Sequence, residues 1–175
     1  KIVIQILKSM GMKILAYDAY PDHEFAKSIG IKYTTLNDLY KHSDIISLHC
    51  PLTKETEYLI NYDSIEKMKD GVMIINTGRG KLINTKALID GLKKKKIGYA
   101  GLDVYEEESD YFYEDYSNIV IDDDILARLL TFNNVIVTSH QAFFTREALD
   151  EIARITLQNI QDFLDGKPLE NEISV

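Results

Sequence analysis

The chain has 175 residues, 45% of them hydrophobic, and a formal net charge of −8. This length can bury the core of one domain or slightly more, and the acidic balance disfavours partners such as nucleic acid or anionic membranes. The single cysteine, Cys50, excludes an internal disulfide, and the sequence contains no zinc-ligand spacing, export signal or long apolar run. We therefore expect a cytoplasmic protein without a metal, whose partner is a small molecule or a protein.

The chain opens on a helical pattern, Ile2 to Met10, that ends at Gly11 and leads into a strand from Ile14 to Tyr17. In a dinucleotide-binding βαβ unit, a strand and a glycine-rich turn precede such a helix, and an acidic residue follows the glycines by about twenty residues. Asp18 occupies the place of that acidic residue. The pattern predicts a first strand and glycine turn ahead of Lys1, outside the sequence.

Further apolar runs of strand length alternate with helical patterns along the chain. Such continuous hydrophobic strands predict an α/β fold, a Rossmann-like doubly wound parallel sheet, here incomplete because its first strand and glycine-rich turn are missing. A last helix is expected to begin after Thr145 and to end at Gly166. The later strands are predicted at Ile45 to Leu48, Val72 to Ile75, Tyr99 to Val104 and Val135 to Thr138.

Polar residues follow most of these strands, where ligands bind in open parallel sheets. One arginine, one histidine and several carboxylates are thus expected at one edge, a set that can polarise a carbonyl group and move a proton. The residues at that edge are Asp18, His49, Cys50, Pro51, Thr77, Gly78, Arg79, Asp103, Glu106 to Glu108, Ser139 and His140.

Three of these side chains have a specific chemistry. Asp18 can accept hydrogen bonds from the ribose hydroxyls of NAD and would repel the 2′-phosphate of NADP, although it could also simply end a strand at the surface. Arg79 lies between two glycines and can bind a carboxylate with two parallel hydrogen bonds, or it could satisfy carbonyls in a tight turn. His140 lies between a strand and a helix, which suits an exposed acid or base better than a core histidine.

The three adjacent acids Glu106, Glu107 and Glu108 are harder to assign. A carboxylate beside His140 would orient the imidazole and raise its pKa, but spacing does not choose among the three, and two of them are expected to be solvated. His49 also stays open, whereas His23 and His42 are predicted to be surface residues.

Three ordered motifs, IINTGRG, GYAGLDVYEEE and NNVIVTSHQAFFTREAL, resemble successive signatures of the D-2-hydroxyacid dehydrogenases. The similarity runs from Lys1 almost to the end of the chain, and its later part is most similar to fermentative D-lactate dehydrogenases. One departure is Glu107, which stands where the family usually has glycine; it adds charge but need not move Glu108.

The resemblance implies reduction of a 2-oxo acid, pyruvate, to D-lactate with NAD as cofactor. It implies that Arg79 orients the substrate, that His140 donates the proton and that Glu108 keeps His140 charged. Its further implications are a homodimer and cofactor contacts from Asp18, Cys50, Pro51, Thr77 and Asp103.

The resemblance also implies two parts: an incomplete NAD-binding domain over residues 1–143, and a helix and tail over residues 144–175 that return to a substrate domain outside the sequence. The 175-residue chain alone is therefore expected to be inactive. Two alternatives stay open, namely a dehydrogenase for larger 2-oxo acids and a catalytically silent NAD-sensing interaction module. The second has no need of a proton donor such as His140.

Overall fold

A computed structural model describes residues 1–107 and 123–173. The chain divides into two compact units, Lys1–Ser139 and His140–Val175. In the described ranges the helices are α1 (Ile2–Ser9), α2 (His23–Ile29), α3 (Leu36–His42), α4 (Tyr62–Lys67), α5 (Thr85–Lys93), α6 (Asp124–Leu130) and α7 (Arg146–Leu164), with a 3₁₀ turn at Gly80–Leu82. The strands are β1 (Leu15–Ala16), β2 (Lys32–Tyr33), β3 (Ile45–Leu48), β4 (Val72–Asn76), β5 (Ile97–Leu102) and β6 (Val135–Val137).

Every strand pair in the first unit is parallel. β1 pairs with β2, and β3, β4, β5 and β6 form a four-stranded sheet in that order. Parallel neighbours bring the carboxyl ends of the strands to one edge of the sheet, and they require the crossovers that the intervening helices supply. The predicted α/β class and parallel sheet are confirmed.

The core of the first unit follows from the side chains of the central strands and α5. β4 alternates buried and partly buried residues, and Asn76 ends its buried face. Asn84 caps α5 by accepting a hydrogen bond from the amide of Ala87, and six of the nine α5 residues are buried. The largest fully buried apolar side chains are Ile60, Val72, Ile74, Leu82, Leu88, Ile97, Val104 and Leu129.

The second unit contains α7, whose ends are those expected from the sequence. The Thr145 side chain accepts a hydrogen bond from the amide of Ala148, and Gly166 takes the left-handed φ of +66° just after the helix. No residue of this helix is buried. The assignment of this part of the chain to a substrate domain stays a prediction.

Four of the five predicted strands differ from their predicted bounds by one or two residues, β5 most of all, and a further strand, β2, was not predicted. β5 begins at Ile97, two residues before the predicted start. Gly98 interrupts the apolar run, so the sequence did not indicate this earlier start. Glycine is needed there because a Cβ would lie 2.6 Å from the carbonyl oxygen of Gly71. β2 is not predicted at all, since its two residues, Lys32 and Tyr33, are too few to show a period.

Candidate active-site edge

The turn after β4 carries Arg79 and is held by a buried amide. Asn76 is 1% exposed; its Nδ2 donates to the carbonyl oxygen of Arg79 at 2.9 Å and its Oδ1 accepts from the amide of Gly78 at 3.0 Å. Thr77 and Arg79 are exposed on this turn. The guanidinium of Arg79 donates to the carbonyl oxygen of Gly78 at 2.9 Å. The turn therefore exposes the positive charge of Arg79 to solvent on a backbone that the buried Asn76 side chain holds in place.

Gly80 explains the second glycine of the GRG sequence. A Cβ added at Gly80 would lie 1.9 Å from the carbonyl oxygen of Tyr105, so only glycine lets these two backbone segments meet. Gly78 has ordinary space around it, with no atom nearer than 3.4 Å to such a Cβ. The close approach thus joins the Arg79 turn to the segment after β5.

Asp103 follows β5 and is a buried carboxylate, 5% exposed. Its Oδ1 accepts a hydrogen bond from the Thr138 hydroxyl at 2.5 Å, and its amide donates to the carbonyl oxygen of Asn76 at 2.9 Å. A buried carboxylate needs such donors, because an unpaired charge away from water is costly. Asp103 therefore ties the ends of β4, β5 and β6 together.

Asp18 lies beyond β1 and is exposed. Its Oδ1 accepts from the amide of Tyr20 at 2.9 Å, which forms a turn. Burial raises the pKa of the Cys50 thiol, and the negative charge of Asp18 adds to this effect. An exposed carboxylate beyond β1, with acceptor capacity beyond its single turn hydrogen bond, fits the ribose hydroxyls of a dinucleotide.

Pro51 and Cys50 begin the loop after β3. Cys50 is a free, half-buried cysteine, and Pro51 is exposed, with its carbonyl oxygen accepting from the Thr56 hydroxyl at 2.7 Å. His49 forms a hydrogen bond with the Ser47 hydroxyl through Nε2, and desolvation lowers the pKa of its imidazole. His49 is thereby biased toward its neutral form.

His140 opens the second unit, immediately after the first unit ends at Ser139. Ser139 and His140 both have left-handed backbones, with φ of 50° and 54°, which is uncommon for residues other than glycine. His140 is partly buried. Two such residues in succession form a sharp turn at the end of β6.

The three predicted catalytic residues therefore do not lie together in one described unit. Arg79 belongs to the first unit and His140 to the second. Glu108 lies outside the described residues, which end before it at Glu107 and resume at Asp123. Their common site stays a prediction.

Glu106 is bonded to the rest of the first unit. Its Oε1 accepts from the Tyr58 hydroxyl at 2.5 Å and its Oε2 from the amide of Thr85 at 3.1 Å, whereas Glu107 is exposed. Glu106 and Tyr58 are 48 residues apart, so the sequence offered no local signal for this contact. Asn76 was likewise missed, although a polar residue ending an apolar strand could have indicated it.

No helix among the described residues has the length and apolarity needed to cross a membrane. Within the same ranges, no group of three or more histidine, cysteine, aspartate or glutamate residues could hold a metal ion.

Comparison with known proteins supports the motifs. Residues 1–142 match the family model for the NAD-binding domain of D-isomer-specific 2-hydroxyacid dehydrogenases. A 2-hydroxyacid dehydrogenase homologue of Haemophilus influenzae is 53% identical over 169 residues, which cover 97% of this chain and 51% of that protein. The D-lactate dehydrogenase of Escherichia coli is 50% identical over 171 residues, which cover 98% of this chain and 52% of that protein.

A solved structure extends the likeness to three dimensions. The D-lactate dehydrogenase of Lactobacillus jensenii, crystallised with NAD⁺, has a TM-score of 0.90 and 36% identity, and the match covers 99% of this chain and 52% of that one. This agreement confirms the Rossmann-like fold. The chain spans about half the length of the relatives it matches.

Proposed function

The chain belongs to the D-isomer-specific 2-hydroxyacid dehydrogenases through their NAD-binding domain, and we propose that the whole protein reduces a 2-oxo acid to a D-2-hydroxy acid. Pyruvate, giving D-lactate, is the proposed substrate. The observation that carries the proposal is the exposed Arg79, presented on a fixed turn at the carboxyl end of β4 in an NAD-binding domain. A guanidinium at that edge suits recognition of the carboxylate common to all 2-oxo acids.

Three side chains divide the chemistry. Arg79 binds the substrate carboxylate and orients the carbonyl group, and His140 donates a proton to the carbonyl oxygen. Glu108 favours the protonated form of the imidazole in the reductive direction. When bound, NADH supplies the hydride to the carbonyl carbon. Placing the proton donor in this way is worth about 10² to 10⁴ in rate.

NAD is the cofactor of this domain family, and Asp18 is the residue proposed to select it. Its carboxylate accepts hydrogen bonds from the adenosine ribose and repels a 2′-phosphate. Cys50 and Pro51 form the nearby loop, while Thr77 and Asp103 contact the cofactor further along the edge. Replacing Asp18 with Ala in the whole protein should reduce the preference for NADH over NADPH; an unchanged preference would reject this role.

We make further proposals about the size of the substrate and the oligomeric state of the protein. Sequence similarity to D-lactate dehydrogenases supports pyruvate as the substrate, whereas similarity to an aromatic 2-oxoacid reductase keeps a larger 2-oxo acid as the alternative. We also propose that the whole protein is a homodimer in the cytoplasm. The 175-residue chain alone is expected to be inactive because relatives of about twice its length carry the activity.

The test is NADH oxidation by the whole protein with pyruvate and, separately, with phenylpyruvate. Rapid oxidation with pyruvate and D-lactate as product would support the proposal. A strong preference for phenylpyruvate would replace pyruvate by a larger substrate. NADH binding without turnover on any 2-oxo acid would reject the dehydrogenase and favour the NAD-sensing module.

A further inference from the structure

A loop that we call the strap, residues 51–60, is hydrogen-bonded to the backbone of the residues that follow Arg79. The amide of Tyr58 donates to the carbonyl oxygen of Lys81 at 2.8 Å, and the amide of Ile60 donates to that of Leu82 at 3.0 Å. The amide of Asn84 returns a hydrogen bond to Ile60 at 2.9 Å. Tyr58 reaches this position with a left-handed φ of 51°. The strap is thus hydrogen-bonded to the stretch of backbone that begins two residues after Arg79.

The Glu106 carboxylate joins the strap to a different part of the fold. One oxygen accepts from the Tyr58 hydroxyl and the other from the amide of Thr85, the first residue of α5. Amides in the first turn of a helix have no partner within the helix, and the helix dipole favours an anion there. Both oxygens of Glu106 therefore have a donor, and one side chain connects the strap, α5 and the segment after β5.

The residues directly after Arg79 contact both the strap and the segment that follows β5. The strap bonds to the residues after Arg79, and the backbone of Tyr105 touches Gly80 so closely that no Cβ would fit between them. Tyr105 is the immediate neighbour of Glu106. Because the Arg79 side chain is exposed, the direction of its guanidinium depends on the backbone that carries it.

We propose that Tyr58 and Glu106 are positioning residues for Arg79, their side-chain hydrogen bond holding the strap so that the guanidinium meets the carboxylate of the substrate. This inference rests on the proposed function and adds to it two residues that contact neither substrate nor cofactor. The contact acts through the backbone of residues 79–82. Its loss leaves the turn in place but widens the range of directions that Arg79 samples.

The electrostatics of the pair keep the contact intact. The hydrogen bond to Glu106 is the main cause that raises the pKa of Tyr58, to about 12, and burial and the charge of Glu106 add to the effect. The phenol therefore remains a donor throughout the pH range in which a dehydrogenase is assayed.

The test uses Tyr58→Phe in the whole protein, which removes one hydroxyl and keeps the ring. We expect KM for pyruvate to rise about three- to tenfold, consistent with the partial loss of a charge-assisted contact, while kcat and KM for NADH change little. Glu106→Gln should act in the same direction but more weakly, because the Gln amide can accept from the amide of Thr85 and donate to the Tyr58 hydroxyl, so that only the charge assistance is lost. The double variant should be no worse than the worse single variant if the two residues act through one contact.

Two matched variants separate this effect from general damage. Tyr62→Phe removes an exposed hydroxyl four residues from Tyr58, and Glu107→Gln removes the exposed charge next to Glu106. Both should retain the wild-type KM for pyruvate. Amide hydrogen exchange at Ile60 should accelerate in Tyr58→Phe and stay unchanged in the two matched variants, which reports the strap without any assay of activity.

The outcomes distinguish the inference from the function on which it rests. A wild-type KM for pyruvate in Tyr58→Phe would overturn the positioning role, even if exchange at Ile60 were faster. A parallel loss of pyruvate binding, NADH binding and thermal stability would also overturn it, since that pattern indicates a purely structural contact. A wild-type protein that reduces no 2-oxo acid rejects the proposed function first and this inference with it.

Discussion

The turns after β4 and after β6 each carry a proposed catalytic side chain, Arg79 and His140, and they differ in their backbones. The first keeps Arg79 at an extended φ of −138° and is supported by the buried amide of Asn76. The second passes through two left-handed residues, Ser139 and His140.

This difference predicts that the two turns respond differently to substitution. A turn that is enclosed by its neighbours loses stability when a neighbour changes, whereas a locally strained turn stores a cost of about 1–3 kcal/mol per residue and can be relaxed by a residue that tolerates its angles. We therefore expect substitutions around Arg79 to appear in unfolding experiments. Substitutions at the His140 turn should appear mainly in turnover.

The largest effect is expected for Gly80→Ala in the whole protein. The added Cβ would lie 1.9 Å from the carbonyl oxygen of Tyr105. Because a backbone atom cannot move aside as a flexible side chain can, the free energy of unfolding should fall by more than about 3 kcal/mol. Urea unfolding measures this. Gly71→Ala is the matched control, since Gly71 has a φ of +78° but open space around it and should lose only about 1–2 kcal/mol. Equal losses would contradict the close-contact explanation.

The next effect belongs to the second turn. His140→Ala should lower kcat about 10² to 10⁴-fold through loss of the proton donor, while the unfolding midpoint and the Kd for NADH stay near wild type. Steady-state kinetics and fluorescence titration of NADH measure the two. His42→Ala, on the exposed face of α3, should leave both unchanged. Retained turnover in the His140 variant would reject its role as the acid.

Asn76→Ala should have a moderate effect on both quantities. It leaves the amide of Gly78 and the carbonyl of Arg79 without their buried partner, which should cost about 1–3 kcal/mol of stability and raise KM for pyruvate. Asn134→Ala is the matched control for Asn76→Ala, because the Asn134 side chain donates to the carbonyl oxygen of Gly98 at the opposite end of β5. It should lose stability without changing KM. A raised KM in both variants would show that the effect is not local to the turn.

The smallest effect is a gain. Ser139→Gly removes left-handed strain and should stabilise the whole protein by less than about 1 kcal/mol, with a modest fall in kcat as the His140 turn loosens. Lys95→Gly is matched, since Lys95 has a φ of 58° just after α5 and should gain stability with unchanged kcat. A loss of stability in Ser139→Gly would contradict the account of that turn.

Local patterns in the sequence were sufficient for the elements with a strong period. The continuous apolar run from Val72 to Ile75 was predicted as a strand and forms β4, and Thr145 and Gly166 mark the ends of the last helix. Short or interrupted elements were not accessible in this way, as β2 and the first residues of β5 show. A period needs several residues to be visible, and a glycine required by a close backbone contact interrupts it.

The candidate site divides in the same manner. Arg79, Asp18 and His140 could be proposed from the sequence because each follows a predicted strand of a parallel sheet, and the resemblance to the family then suggested their roles, which stay predictions. The contact between Tyr58 and Glu106 could not be found, because it depends on how two distant loops are folded together. The sequence placed Glu106 only in a run of acids, whose members have different surroundings in the fold.

The bonds made by Asp103 have a mechanical consequence for the open end of the sheet. Its amide holds Asn76 of β4, and its carboxylate holds Thr138 just beyond β6. Together with the amide of Thr138, which donates to the carbonyl oxygen of Leu102 at 3.0 Å, these two links join the ends of three strands. Separating any one strand end from its neighbour therefore requires breaking hydrogen bonds that involve the residues just beyond the sheet.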